Sequence, residues 1–510
     1  MNPQHIIVIG AGVGGLTTAA LLAQAGHRVT VLEAQTYPGG CASTFYHQGY
    51  SFDSGATTAG GFQANGPHHL ISQQLGIDWD IHPHDPAWVV HLPDRSIALT
   101  HDNGDVLRKF PQTARFWDEQ RRIADICWSL SAQGLPFPPS DWTELAQLAK
   151  IGLSNFPRDL RIVPYALGTV KQWLRLRGLA NDAAFARFID AQLLISAQNT
   201  ARYVNAVYGA TALDLARQGV YHIRGGIGGI AEKLVSKIRQ LGGNVLFRQH
   251  VTRIAVEHGR ASGVFVRHGK HTQQEIFMPC DFLLANVTPW SLDQLLREDS
   301  PKSLQRELRQ RVNGSGAFVL HVGVQADLLP PDLPDHHQII TSMAGALGEG
   351  RSIFMSISPT WDTSRAPVGY RAVTISTHTE VNQWWTLLAH DKDAYYDSKL
   401  AYSERILNNI EQVVVGFRRS VKLTLPGTPV TYNFYTGRHL GMVGGFAQTS
   451  LFAARGPRTG LPNVRLVGDS IFPGQSTAGV TLGAIRVTND IQRYMRQGHD
   501  VQQNVLMEAQ

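Results

Sequence analysis

The chain has 510 residues, enough for two to four domains at roughly 100–200 residues each. Hydrophobic residues make up 43% and charged residues 17%, which excludes a disordered chain, and a net charge of +6 selects no class of partner by itself. The three cysteines, Cys41, Cys127 and Cys280, exclude a disulfide framework and form no C-x-x-C pair, so no metal is expected and the compartment reads as reducing and intracellular.

Residues His5 to Ile9 form a short β-branched run, a glycine cluster follows, and Leu16 to Ala25 has helical character closed by Gly26. Arg28 to Glu33 predicts a second strand, so the chain opens as a βαβ unit on a parallel sheet. Residues 100–215 predict mostly helix, broken at Pro136, Pro138, Pro139, Pro157 and Pro164. Asn244–Arg248, Val251–Val256 and Gly263–Arg267 predict a β-meander, and Asp281–Asn286 a buried strand. Alternating runs at Ala317–Val324, Ile353–Ile357 and Ala372–Ser376 predict an antiparallel sheet, with a helix near Lys399–Val414 after it. Val464–Val467 is a last short strand and Thr477–Met495 a last helix. No apolar run approaches the ~18–20 residues of a membrane span, and Met1–His5 lacks the charged-then-apolar layout of a signal peptide.

The glycine cluster Gly10-Ala11-Gly12-Val13-Gly14-Gly15 matches G-x-G-x-x-G between a strand and a helix. In that context Gly10 makes the tight turn, Gly12 admits a pyrophosphate and Gly15 permits close helix–strand packing. The pyrophosphate then rests on free N–H groups at the helix N-terminus. Glu33, at the next strand end, suits the hydroxyls of an adenosine ribose. Gly39-Gly40-Cys41-Ala42-Ser43 suits close backbone contact with a longer cofactor; a plain turn and hairpin is the alternative. Late in the chain, Gly468-Asp469 ends a strand, and Ser476 or Thr477 can cap the following helix. The dipole of that helix would favour negative charge on a reduced flavin.

These residues, taken in order with Asp53-x-Gly55, Arg224-Gly225-Gly226-Ile227-Gly228-Gly229 and Gly242-Gly243, resemble the flavin-containing amine-oxidase superfamily. The stretches Gly427–Arg438, Gly441–Gly445 and Gly468–Gln475 are similar to segments of its carotenoid desaturase and isomerase branch, most of all the 3,4-desaturase type. The resemblance implies an α/β fold. A Rossmann-like FAD-binding domain would be built from the separated segments 1–99, 215–300 and 455–497. A helical region at 100–214 would contact membrane, 301–454 would be an α+β substrate domain, and 498–510 a polar tail. It implies FAD held by Gly10, Gly12, Gly14, Gly15, Glu33, Gly39, Gly40, Cys41, Ser43, Gly55, Val251, Gly468, Asp469, Gly479 and Val480. Many relatives carry Arg where this chain has Cys41, so a cation near the cofactor is missing at that position. No cysteine follows Cys280, so the FAD is expected to be non-covalent.

The implied reaction is desaturation of an acyclic or monocyclic carotenoid at its 3,4 position, with quinone or oxygen as electron acceptor. A redox-neutral carotene cis–trans isomerase using reduced FAD remains the alternative. His439 is the candidate acid or base, with a structural histidine as the competing reading. Tyr432, Phe434, Tyr435 and Phe446 are candidates for a substrate tunnel, with ordinary core as theirs. Between Lys150 and Arg187 seven basic residues (Lys150, Arg158, Arg161, Lys171, Arg175, Arg177, Arg187) face two acids among interleaved Leu, Phe and Trp. Such a segment resembles one lying in a membrane interface, although an amphipathic face packed on its own domain would look the same. The expected partners are therefore a carotenoid and a lipid surface on the cytoplasmic side, with no pattern for nucleic acid.

Overall fold

The computed structural model describes residues 3–157, 161–269, 272–311, 314–447 and 449–508, with backbone alone from 498 onward. Its first layer is a five-stranded, all-parallel sheet in the order Val464–Leu466, Phe282–Ala285, His5–Ile9, Arg28–Leu32, Asn244–Leu246. Neighbouring strands thus come from opposite ends of the chain. Ile6, Ile7, Val8, Leu283 and Leu284 are fully buried, as strands covered on both faces require. Helix Val13–Gln24 lies on this sheet and packs against Thr477–Glu508 and Gly229–Gln240. Burying Leu16, Leu21 and Leu22 stabilises that contact by about 1.5–3 kcal/mol per side chain.

The second layer is a seven-stranded sheet in the order Val421–Gly427, Gly316–Gln325, Tyr370–Thr379, Ser352–Ile357, His336–Ile340, Trp88–Leu92, Arg95–Leu99. Helices Val381–His390 and Lys392–Glu411 cover one face through Trp384, Tyr402 and Ile406. Trp88–Leu92 and Arg95–Leu99 fall in the stretch expected to serve the nucleotide-binding unit. They hydrogen-bond instead to the edge of this second sheet, the first of them parallel to His336–Ile340. The meander expected at 244–267 is also divided. Asn244–Leu246 completes the parallel sheet, Arg248 turns in the left-handed region at φ 58°, and Gln249–Glu257 begins a three-stranded antiparallel sheet.

Helices Ala114–Ala132, Trp142–Ser154, Val170–Leu176, Ala183–Ala197 and Ala206–Ala212 fill the region expected to be helical. Their own core is aromatic, with Phe110, Phe116, Trp173, Phe185 and Phe188 buried together. The last helix runs past the expected Met495 to Glu508, through the stretch read as a polar tail; Ala509 and Gln510 lie outside the described residues. Among the described residues no helix is long and apolar enough to cross a membrane.

Candidate active site

The first βα turn is shaped by one side chain that sequence motifs do not contain. Asn286, directly after strand Phe282–Ala285, donates its Nδ2 to the Gly10 carbonyl at 3.2 Å. A Cβ on Gly12 would sit 2.6 Å from that Nδ2, and one on Gly15 would sit 2.7 Å from the Gly10 carbonyl and 2.8 Å from the Asn286 Cβ. Gly10 itself turns at φ 93°, where only glycine is at ease. A Cβ on Gly14 would lie 3.1 Å from the Gly468 Cα, so the motifs at the two ends of the chain touch. No side chain caps Gly12, and the first turn of helix Val13–Gln24 holds no acid. Its free N–H groups and dipole are therefore left for an anion.

The turn opens on one continuous cavity of about 1220 Å³. This exceeds the ~300–1,000 Å³ of ordinary small-molecule pockets. Glu33 and Val251 line one end, with the Gln249 N–H on the Glu33 carbonyl at 2.8 Å. Glu33 accepts from the Ala11 N–H at 2.7 Å and the Gln35 N–H at 2.8 Å, which fixes its carboxylate. Burial raises its pKa against those backbone donors, so hydroxyl donors would favour the ionised form. Gly10, Gly12, Gly14, Gly39, Gly40, Cys41, Ser43 and Gly55 line the next stretch, then Gly468, Asp469, Gly479 and Val480. Gly15 stays behind the wall as a packing glycine. Ser476 caps the last helix by accepting from the Gly479 N–H at 2.9 Å, and that helix points its first turn at the cavity.

The sequence leaves no cation at position 41, yet the cavity has one nearby. Arg438 reaches Asp469 at 2.9 Å and donates to the Met442 and Gly444 carbonyls, both at 2.6 Å. Burial opposes its charge, but the Asp469 carboxylate outweighs burial and holds the guanidinium above its ordinary pKa. The Cys41 thiol beside it is pushed up by burial and stays protonated, as befits a small filler. An acid placed for a ribose diol, an uncapped helix N-terminus for a pyrophosphate, and a second helix start fit a flavin dinucleotide.

The model of the flavin-containing amine oxidoreductase family matches residues 13–492. The chain belongs to this family. It is 28% identical to the prolycopene isomerase of Daucus carota, over 94% of this chain and 78% of that protein. It is 24% identical to the lycopene-forming phytoene desaturase of a Paracoccus species, over 95% and 96%. Among solved structures, an oxidoreductase from Methanosarcina mazei shares the fold with a TM-score of 0.65 at 17% identity, over 95% of this chain and all of that one.

In this family member the rest of the cavity is largely apolar. Leu130, Phe137, Leu148, Ile151, Ile162 and Leu194 supply one wall from the helical region, and Val319, Phe354, Ser376 and His378 supply the other from the seven-stranded sheet. Of the aromatic residues expected to line a tunnel, Tyr432, Phe434 and Tyr435 line the cavity, on the cradle side of it. Tyr432 donates to the Ser54 carbonyl beside Gly55 and Cys41. Tyr435 holds the Gln35 amide through its carbonyl at 2.6 Å, and Phe434 packs on Tyr435, so both stand at the Glu33 end and are more than half or half exposed. Phe446 is off the cavity wall, under the Arg311 guanidinium at 4.1 Å. His439 is off it too, and its ring stacks on Trp290 at 5.4 Å.

Asp53 and the middle glycines form a joint. Asp53 accepts from Thr44 and the Ile227 N–H and pairs with Arg365 at 3.0 Å. Among the described residues the basic segment is not one amphipathic stretch but runs through helices Trp142–Ser154, Val163–Ala166, Val170–Leu176 and the start of Ala183–Ala197. Arg177 pairs with Glu119 at 2.6 Å, and Arg187 is buried on the carbonyls of Ser342 and Gly345. Those two cations are structural, while Lys150, Arg161, Lys171 and Arg175 are exposed and Arg158 lies outside the described residues. Asn286, Arg438 and His378 are the residues that sequence reasoning missed. The only advance signal was the position of Asn286 at a strand end and of Arg438 inside a family segment.

Proposed function

We propose that this protein binds FAD non-covalently and desaturates a carotenoid, at the 3,4 position of an acyclic or monocyclic polyene. The observation that carries this reading is the continuity of the cavity, which joins a dinucleotide cradle and a largely apolar chamber in one space. Bound FAD supplies the two-electron oxidation. The chain's own task is to hold the polyene in register and keep water out; such positioning contributes up to roughly 7–11 kcal/mol in favourable cases. Arg438 and Asp469 neutralise each other at the cradle, so the chamber presents no net charge to an apolar substrate there.

A second reading, redox-neutral cis–trans isomerisation with reduced FAD, is favoured by one observation. The relatives named prolycopene isomerases reach 28–29% identity, above the 24% of the phytoene desaturase. Co-expression in a host making lycopene or a monocyclic carotene, followed by mass analysis, separates the two. Loss of two hydrogens supports desaturation; unchanged mass with shifted retention supports isomerisation; no change in either removes both. Quinone or oxygen is the proposed electron acceptor for the first.

We also propose peripheral attachment to the cytoplasmic side of a membrane. Exposed Trp142, Leu153, Phe156, Leu167 and Leu176 lie among Lys150, Arg161, Lys171 and Arg175. Helix Trp142–Ser154 also gives Leu148 and Ile151 to the cavity wall, so the lipid-facing patch and the chamber share one element. Interfacial binding of this kind combines apolar burial with attraction to anionic lipid.

A further inference from the structure

We infer that His378 is the group that takes the proton from the polyene, and that Gln198 is the positioning residue that leaves His378 Nδ1 open to do so. The inference rests on the desaturase reading and adds the acid–base partner that the sequence did not disclose.

Desaturation removes two hydrogens from adjacent carbons. One leaves with its electron pair to the flavin named above. The other leaves as a proton, its C–H electrons become the new double bond, and a base must form a bond to that proton. The base has to face the apolar chamber, be unprotonated at neutral pH, and stand near the cofactor end. Among the described residues, the imidazoles and carboxylates on the cavity wall are Glu33, His250, Asp469 and His378. Glu33 is fixed by backbone donors at the dinucleotide end, and His250 lies beside Gln249 and Val251 at that same end. Asp469 is committed to Arg438. His378 alone faces the chamber.

It stands on strand Tyr370–Thr379, opposite Ala317 of the neighbouring strand, which also lines the cavity. Its Nε2 lies 2.7 Å from the Gln198 Oε1. The Gln198 amide is oriented because its Nε2 donates to the Ile195 carbonyl at 3.3 Å; the flipped amide would set oxygen against oxygen. An oxygen facing the ring requires the proton on Nε2, which leaves the lone pair on Nδ1. No protein donor or acceptor holds Nδ1 among the described residues. Gln198 ends helix Ala183–Ala197 in the left-handed region at φ 55°, and its Cγ is 2.8 Å from where a Gly444 Cβ would be. Gly444 in turn accepts from Arg438. The dyad therefore sits at the seam between cradle and chamber. Burial holds the imidazole pKa down to about 4, so the ring is neutral at neutral pH and a weak base, matched to the acidic C–H beside the positive charge that hydride loss leaves on the polyene.

The test uses the FAD-loaded full-length protein and a carotenoid delivered in liposomes, without oxygen, with flavin bleaching as the readout. His378→Gln keeps a polar partner for Gln198 but supplies no base. It should bind FAD as the parent does, judged by flavin fluorescence, and bleach about a hundred-fold more slowly. His378→Ala should be equally slow and regain rate with added imidazole. Gln198→Leu should shift the tautomer, read in ¹⁵N-histidine spectra assigned by difference from His378→Gln, whereas the parent shows Nε2–H with a bare Nδ1. Bleaching of His378→Gln within two-fold of the parent, or a parent Nδ1–H tautomer, overturns the inference. A parent that no carotenoid bleaches removes the desaturase reading instead, which is a different result from an active parent with an active variant.

Discussion

The two halves of the cavity are made from different materials. The dinucleotide half is mostly backbone: glycines that let two strand ends, a helix start and Asn286 crowd together, with Glu33 and the paired Arg438 and Asp469 among its few charged side chains. The polyene half is side chains, drawn from helices between residues 114 and 212 and from a sheet between residues 316 and 379. A site made of backbone tolerates almost no added atom. A site made of apolar side chains tolerates exchange, since cores accept volume-conserving replacement at modest cost. Function in the first half should therefore fail at single glycines, and in the second at few positions.

The sharpest break of this comparison is Gly12→Leu. The added side chain would enter the space held by the Asn286 amide and cover the pyrophosphate position. The purified variant is expected to be colourless, with FAD affinity down by more than about a hundred-fold and an unchanged far-ultraviolet circular dichroism spectrum. By contrast Leu194→Met, in the chamber wall, should leave FAD content unaltered, with a stability loss under about 1.5 kcal/mol. A yellow Gly12→Leu protein would mean that the cradle is misassigned.

This difference also explains what could be read in advance. A backbone site has a short local grammar, so Gly10–Gly15, Glu33 and Gly468-Asp469 were legible from spacing alone. Asn286 was not, because its role depends on a strand that pairs with His5–Ile9 across some 270 residues of chain. Trp88–Leu99 gave no cue to its sheet for the same reason. His439 was a candidate because it neighbours Arg438 in sequence, whereas its ring packs on Trp290 while the Arg438 guanidinium reaches Asp469. His378 looked like any of twenty-one histidines until strand register and the Gln198 contact set it apart.

Acid should act on the second layer more than on the first, where His68 is the deeply buried histidine. His84, His91 and His337 all have pKa values lowered to about 4, chiefly by burial, and His336 is lowered as well. Near 6.5 in the unfolded chain, they bind protons there first as pH falls, so stability is full above about 6.5 and is lost toward 4. The expected loss is on the order of a few kcal/mol between pH 7 and 5, read as a falling thermal midpoint. His91→Asn with His337→Asn should flatten the slope. An unchanged midpoint over that range would show that these rings are not held neutral.

A smaller effect belongs to the surface beside the chamber. Exchanging Lys150, Arg161, Lys171 and Arg175 for Glu should weaken binding to anionic vesicles by tens-fold, at about 1 kcal/mol or less per charge, and remove its salt dependence. The same exchange at the structural cations would be misleading, because Arg177 and Arg187 support Glu119 and the 342–345 loop. Equal vesicle binding by the exposed-cation variant would leave the patch as an ordinary solvated face.

The smallest effect is expected at His439, and it separates neighbourhood in sequence from membership in the site. Its imidazole is parallel to the Trp290 indole, within 6°, and does not line the cavity. Burial alone lowers its pKa. Loss of one half-buried stacking pair costs about 0.5–1.5 kcal/mol of stability and no cofactor contact. His439→Ala should keep its FAD and turn over carotenoid within about two-fold of the parent, while Arg438→Met loses cofactor affinity because the half-buried Asp469 is left without its partner. A His439→Ala protein that retains FAD but no longer reacts would move the acid–base function back to this residue and away from the sheet.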